Sequence, residues 1–138
     1  MIVVVILGVL IAIAFPQFVQ SIRKGRRSDA ITALAAIQQA QERSRSSFST
    51  YCDEIASAAT ATRCGLGLGT STTQYYSLAI DGAPTGTGYV AKATASGGQT
   101  NDTTCATMAV KMERGTLTYG SSSSSTVDWA DPNRCWAK

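Results

Sequence analysis

The first 22 residues of this chain contain no charged side chain, and this run constrains the fold more than any other feature. Residues 1–15 are apolar on every face that a helix would present, so they have to be buried in lipid or among other helices. A helix of fifteen residues reaches about 22 Å, whereas the hydrocarbon core of a bilayer is roughly 30 Å thick. This segment alone is therefore too short for a complete span.

This apolar run is compatible with three structures. A cleaved signal peptide would use Ala12-Ile13-Ala14 as its cleavage site, but no basic region precedes the run. The core helix of a soluble protein would show a polar face, and this segment shows none. We favour the third structure, a membrane helix whose first residues precede Met1.

Four basic residues follow the apolar run and account for the net charge of +3. They are Arg23, Lys24, Arg26 and Arg27. The rest of the chain contains eight basic and nine acidic residues, so its composition does not indicate a polyanion-binding domain. By the positive-inside rule alone, this cluster would leave the following domain in the cytoplasm.

The four cysteines argue for the opposite side of the membrane. An even number of cysteines in a small domain beside a membrane segment is typical of disulfides formed in an oxidising compartment. Buried free thiols in a cytosolic protein are the alternative, and intervals of 11, 40 and 29 residues do not fit a four-cysteine metal site. A basic leader upstream of Met1 would reconcile the cysteines with the basic cluster, and we expect one.

The helix is predicted to continue past Pro16, because membrane helices tolerate the hydrogen bond that proline removes. Larger side chains recur further on at intervals near three, four and seven, as one helix face requires: Ile31, Leu34, Ile37, Gln41, Phe48 and Tyr51. We therefore predict a transmembrane or filament-core segment over 1–22, an amphipathic helix over 23–51 and a disulfide-bonded head over 52–138.

Four segments of the head alternate in the manner of β-strands. They are residues 75–80, 89–95, 105–112 and 116–119. Strands that follow one another without crossover helices form an antiparallel sheet, one face of which can cover the helix. The predicted fold class is α+β, with a long N-terminal helix packed on a small antiparallel sheet.

Nothing in the sequence indicates catalysis. The chain has no histidine and therefore lacks an imidazole base and the commonest metal ligand. Asp53 and Glu54 are adjacent, so on a strand they would point apart, and no glycine pattern of a phosphate-binding loop connects a strand to a helix. We predict no enzymatic activity, no catalytic or metal-binding residue and no cofactor.

The N-terminal motif resembles the type IV pilin family. The matching residues are Met1 to Ala14, with Gly8 in register, followed by Phe15-Pro16-Gln17-Phe18. Two later segments, residues 25–30 and 37–43, are similar to the minor pilins often called PilE-like. Family members carry a short stretch before the residue that matches Met1, including a glutamate, and this stretch is absent here. We expect the chain as given to lack the pairing of that glutamate with a neighbouring subunit.

The resemblance implies a structural subunit, a pilin or minor pilin, of a bacterial type IV pilus with roles in adhesion, twitching motility or uptake. Its assembly helix would include Val3, Gly8, Pro16 and Phe18. Its partners would be other pilin subunits, the inner membrane before assembly and the pilus assembly machinery, with the head in the periplasm or outside the cell. A pseudopilin of a type II secretion filament is an alternative.

Four cysteines can form two disulfides in three different ways. We expect Cys52 and Cys64 to close a short loop, and Cys105 and Cys135 to hold the C-terminal tail, which lies on the exposed side of the head in the family.

The basic cluster suggests two ligands. A DNA-binding competence minor pilin would use Arg23, Lys24, Arg26 and Arg27 to contact DNA, whereas an interfacial cluster would contact anionic lipid headgroups. We favour lipid and expect little duplex binding at physiological salt.

Overall fold

The computed structural model describes residues 2–130, 135 and 136, and at Pro16 only the backbone. One long helix precedes a four-stranded antiparallel sheet. The predicted α+β class is therefore confirmed.

Helix α1 runs unbroken from Ile2 to Ser44 and passes through Pro16. Thirteen large apolar side chains of its first half are exposed, from Ile2 at 77% to Ile22 at 38%. By length and composition, α1 is the one helix of the described residues that is able to cross a membrane. The head leaves this half of the helix uncovered.

The second half of α1 packs on the sheet through a stripe with alternating spacings of three and four. Its buried members are Arg27, Ala30, Leu34, Ile37 and Gln41. Such spacing keeps the side chains on one helix face. The predicted stripe agrees with this one at Leu34, Ile37 and Gln41, whereas Ile31 is only half-buried at its margin.

Helix α1 ends at Ser44, earlier than the predicted boundary at residue 51. Serines cluster where it ends, and the hydroxyl of Ser46 donates a hydrogen bond to the carbonyl of Arg43. Such side-chain bonds compete with helical hydrogen bonds and end helices. Tyr51 lies in the following loop, where its ring still packs on Tyr89 with 4.8 Å between the ring centroids.

The sheet is a simple meander in which each strand pairs with its neighbours in the chain. The strands are β1 (Tyr76–Ile80), β2 (Gly88–Ala95), β3 (Thr107–Glu113) and β4 (Thr116–Ser122). A short 3₁₀ helix, Gly97–Asn101, joins β2 to β3. Helix α1 crosses β1, β2 and β3 on one face of the sheet, here called the inner face. Ala91 and Ala93 of β2 are buried there, and their small side chains allow the helix to approach closely.

Strand β4 extends three residues beyond its predicted end at residue 119. The extension has a partner that local sequence does not reveal, because the backbones of Ser121 and Asp128 exchange two hydrogen bonds of 3.0 and 3.1 Å. The tail thus runs along the edge of β4. Disulfides join Cys52 to Cys64 and Cys105 to Cys135, so the second one ties this tail to the start of β3.

A variant that lacks residues 1–22 should remain soluble, monomeric and cooperatively folded. The buried stripe begins at Arg27, so the deletion removes exposed apolar surface and no core side chain. Size-exclusion chromatography and thermal unfolding followed by circular dichroism test this. Aggregation, or loss of a single unfolding transition, would mean that the apolar half of α1 belongs to the core of the head.

Candidate functional site

The candidate sites of this protein are surfaces. Within residues 2–130, 135 and 136, no group of three or more Cys, Asp or Glu side chains is placed to hold a metal ion. Three surfaces carry unusual chemistry instead. They are the apolar half of α1, the cationic junction between that half and the head, and a groove on the outer face of the sheet.

The apolar half of α1, Ile2–Ile22, is a continuous surface without a partner in the described chain. Val3 is 68% exposed and Phe18 is 65% exposed. At Gly8, an added side chain would meet no atom within 4 Å. Pro16 lies within the helix backbone, and its side chain lies outside the described structure. Val3, Gly8 and Phe18, three of the four residues predicted for the assembly helix, therefore lie on this accessible surface.

The four predicted cations do not form a single patch. Arg23, Lys24 and Arg26 remain exposed or half-exposed, whereas Arg27 is buried. We call the first three the collar, since they follow directly on the apolar half of α1. The guanidinium of Arg26 lies 4.4 Å from the centre of the Tyr75 ring, a distance typical of a cation–π contact.

Arg27 forms a buried, bidentate ion pair with Asp102. Its Nε and Nη2 atoms donate to the two carboxylate oxygens over 2.8 and 2.9 Å. The amide nitrogen of Gln99 donates to the same carboxylate over 3.0 Å and lies 3.2 Å from the backbone carbonyl of Arg23. Arg27 thus docks the helix to the segment after β2 and is not available to a lipid or to DNA.

The surroundings of Asp102 favour its charged form. Burial by itself would raise the pKa of Asp102, but other contacts outweigh it: the hydrogen bonds and charge of Arg27, and the N–H groups of Cys105 and Thr104. The pKa of Asp102 is therefore lowered from its ordinary value of 3.8. The carboxylate remains charged and paired at neutral pH.

The third surface is a groove of about 320 Å³ on the outer face of the sheet, opposite α1. Its lining residues are Asp81, Val90, Lys92, Lys111, Ser125, Thr126, Val127 and Trp129. Two features of the fold create this outer groove. Strand pairing sets Lys92 beside Ala109, two residues from Lys111, and the tail contributes the opposite wall.

The absence of a side chain at Gly120 allows the tail to form that wall. A Cβ atom at this position would lie 2.6 Å from the Trp129 ring, which is closer than real side chains approach. Trp129 therefore lies directly against the backbone of β4, and its ring centre is 5.3 Å from the Nζ atom of Lys111. The C-terminal tail brings an aromatic ring and a cation together at the groove.

Both groove lysines have weak carboxylate partners. Lys92 contacts Asp81 over 2.7 Å, and Lys111 contacts Glu113 over 3.3 Å. The two acidic side chains are more than half exposed, and ion pairs of this kind contribute little to stability because water screens them.

Sequence reasoning missed this groove. Lys92 and Lys111 are isolated cations in the sequence, and only the register of β2 against β3 makes them diagonal neighbours. The available signal was their position at outward-facing sites of alternating strands. Trp136, by contrast, packs within the head, where its indole nitrogen donates to the carbonyl of Gly120 over 3.0 Å.

Comparison with known proteins gives one family match. A family model described as "Type IV minor pilin ComP, DNA uptake sequence receptor" matches residues 16–109, more than half of the 138-residue chain. The match includes the collar, the Arg27–Asp102 pair and Lys92, and it ends before Lys111 and Trp129. No curated protein matches the chain.

Replacing Arg27 with Gln should destabilise the head by about 3 kcal/mol, because Asp102 is left buried without its partner. Chemical denaturation of the full chain in neutral detergent, followed by tryptophan fluorescence, measures this. The matched control is Arg63→Gln, which breaks the exposed pair with Glu54 and should cost less than about 1 kcal/mol. Equal effects of the two substitutions would contradict the structural role of Arg27.

The same pair predicts a pH dependence. Because the folded-state pKa of Asp102 is lowered, its stabilising contribution is complete above pH of about 4 and is lost as the pH falls through the folded-state pKa. Asp102→Asn has no charge to lose, so its stability should fall less steeply below that pH.

Proposed function

The chain belongs to the family of type IV minor pilins described as ComP, DNA uptake sequence receptor, and on this premise we propose how it enters a filament and what its head binds there. It is a pilin subunit with an exposed apolar helix and a disulfide-bonded head. The proposed role is structural and involves no catalysis.

The exposed apolar half of α1 carries the proposal for assembly. Its thirteen large apolar side chains cannot face water without a large free-energy cost. Before assembly the inner membrane would cover them, with the disulfide-bonded head on the periplasmic side. In the filament, the same side chains would pack on the helices of neighbouring pilins, so that one apolar environment replaces another.

Substituting Ile11→Asp should strongly reduce recovery of the protein in sheared pili from the native host. An unpaired carboxylate there costs on the order of 2.5 to 3.5 kcal/mol in lipid and cannot pair within an apolar bundle. The matched control is Thr32→Asp, an exposed site in the second half of the same helix. Immunoblots of the pilus and membrane fractions measure both. Equal recovery of the two variants would exclude burial of this surface in the filament.

The outer groove favours a second function, binding of duplex DNA. Lys92 and Lys111 lie on adjacent strands as diagonal neighbours, a relation that separates two residues by about 7 to 8 Å. Two amines at this spacing are able to contact the backbone of one DNA strand. Arg114, in the turn after β3, is exposed and lines a second depression of about 270 Å³ together with Lys111.

Orientation also supports DNA binding at this groove. The groove lies on the face of the sheet that is turned away from α1. If α1 forms the filament core, this face points outward, where extracellular DNA is accessible. The phosphate backbone supplies most of the affinity in such contacts, and the Trp129 ring would provide apolar contact to sugars or bases.

The double substitution Lys92→Gln and Lys111→Gln should weaken duplex binding and its salt dependence. Each lost phosphate contact reduces the slope of log K against log salt by about 0.9, so the slope should flatten by roughly two. The matched control is Arg43→Gln with Arg63→Gln, which removes the same charge from other exposed sites. Fluorescence anisotropy of the full chain in neutral detergent, titrated with labelled duplex at several salt concentrations, measures the slopes.

A variant of the collar distinguishes the collar from the outer groove as the DNA site. Replacing Arg23, Lys24 and Arg26 with Gln should leave the DNA affinity and the salt slope unchanged. DNA binding that this collar variant abolishes, and that the lysine variant retains, would move the DNA site to the collar.

A further inference from the structure

The collar stands at a defined depth relative to the apolar half of α1. The charge-free run ends at Ile22, and a charged side chain inside the hydrocarbon core of a bilayer is energetically costly. Arg23 and Lys24 follow immediately, and Arg26 lies one turn later. When this segment crosses a bilayer, the collar therefore lies among the lipid headgroups.

The three cations of the collar form no ion pair with the described part of the head. The ion pairs of residues 2–130, 135 and 136 use Arg27, Arg63, Lys92 and Lys111, and none of them involves a collar residue. Asp102, the acidic residue docked beside this part of the helix, is fully engaged by Arg27. The collar therefore presents three positive charges to its surroundings.

The head also holds the collar in place. Gln99 of the 3₁₀ helix hydrogen-bonds the backbone carbonyl of Arg23. Arg26 is positioned between the Tyr75 ring and Gly98, where an added Cβ atom would lie 3.6 Å from its Nη1 atom. Gly97, Gly98 and Thr100, which border this site, are exposed and uncharged. The guanidinium of Arg26 is thus held beside exposed residues that carry no charge.

From this placement we propose that the collar binds the phosphate groups of anionic phospholipids in the outer leaflet of the inner membrane. The proposal rests on the membrane anchoring proposed above and adds a ligand to it. Basic residues are disfavoured on the translocated side of a membrane segment, and among the four only Arg27 has an acidic partner in the described part of the head. Anionic headgroups attract basic residues next to a membrane segment, and arginine binds phosphate in a bidentate manner.

Photo-crosslinking in nanodiscs tests the proposal with the full chain. Two probes carry the same photoactivatable acyl chain, one on phosphatidylglycerol and the other on phosphatidylcholine. The unmodified protein should be labelled roughly five- to tenfold more by the anionic probe. Replacing Arg23, Lys24 and Arg26 with Gln should abolish the preference. The control Arg43→Gln, Arg63→Gln and Arg114→Gln removes the same charge from exposed sites outside the collar and should retain the preference.

Five results would overturn the collar as a lipid site. Equal labelling by both probes would show no headgroup preference, and loss of preference in the control variant would show an effect of net charge alone. Displacement of the preference by millimolar inorganic phosphate would indicate a site for free phosphate. Displacement by duplex DNA would indicate a nucleic-acid site. Failure of the protein to enter nanodiscs would overturn the anchoring itself, and the collar proposal with it, whereas equal labelling overturns the collar proposal alone.

Discussion

The buried ion pair between Arg27 and Asp102 determines how the head is attached to its helix. A guanidinium in a protein interior is tolerated only when its charge and its donors find partners, and the carboxylate supplies two of these hydrogen bonds. Gln41 makes a second buried contact fourteen positions later, where its amide exchanges hydrogen bonds of 2.7 and 2.8 Å with the backbone of Cys52. Between these two contacts lie the apolar side chains Leu34 and Ile37. Apolar packing alone would tolerate a shift of the helix by one turn, whereas two polar contacts at fixed positions allow one register.

This attachment leaves the other half of α1 free. Because the contacts with the head begin at the collar and Arg27, the thirteen large apolar side chains of residues 2–22 remain available to lipid or to other helices. A single helix therefore serves two environments. Its first half carries no charged group that would have to leave water. In its second half, the polar groups that are buried have partners within the head.

Local sequence predicted those parts of the fold that depend on local physics. The charge-free run, the spacing of Leu34, Ile37 and Gln41, and the alternation of the strands follow from helix and strand periodicity. The prediction placed the end of α1 too late. The apolar pattern continues to Tyr51, but the hydrogen bonds of the serines end the helix before that residue. Arg27 was grouped with the collar because its partner, Asp102, is 75 residues away in the sequence. The outer groove depends on strand register and on the path of the tail, neither of which a linear pattern specifies.

The cations of this protein show why clustering in the sequence and clustering in space have different consequences. Four basic residues that lie within five positions of the sequence divide into one structural residue and three that stay exposed or half-exposed beside the apolar half of α1. Lys92 and Lys111, by contrast, converge on the opposite face of the sheet. Assembly into a filament would cover one of these two surfaces and leave the other accessible. The collar adjoins the apolar half of α1, so neighbouring subunits would cover it if that half leaves the membrane and packs into the filament core. The outer groove is separated from that helix by the full thickness of the sheet, and it would remain accessible in the assembled pilus. A subunit built this way is able to exchange lipid for protein around its helix without altering the surface that its head presents outside.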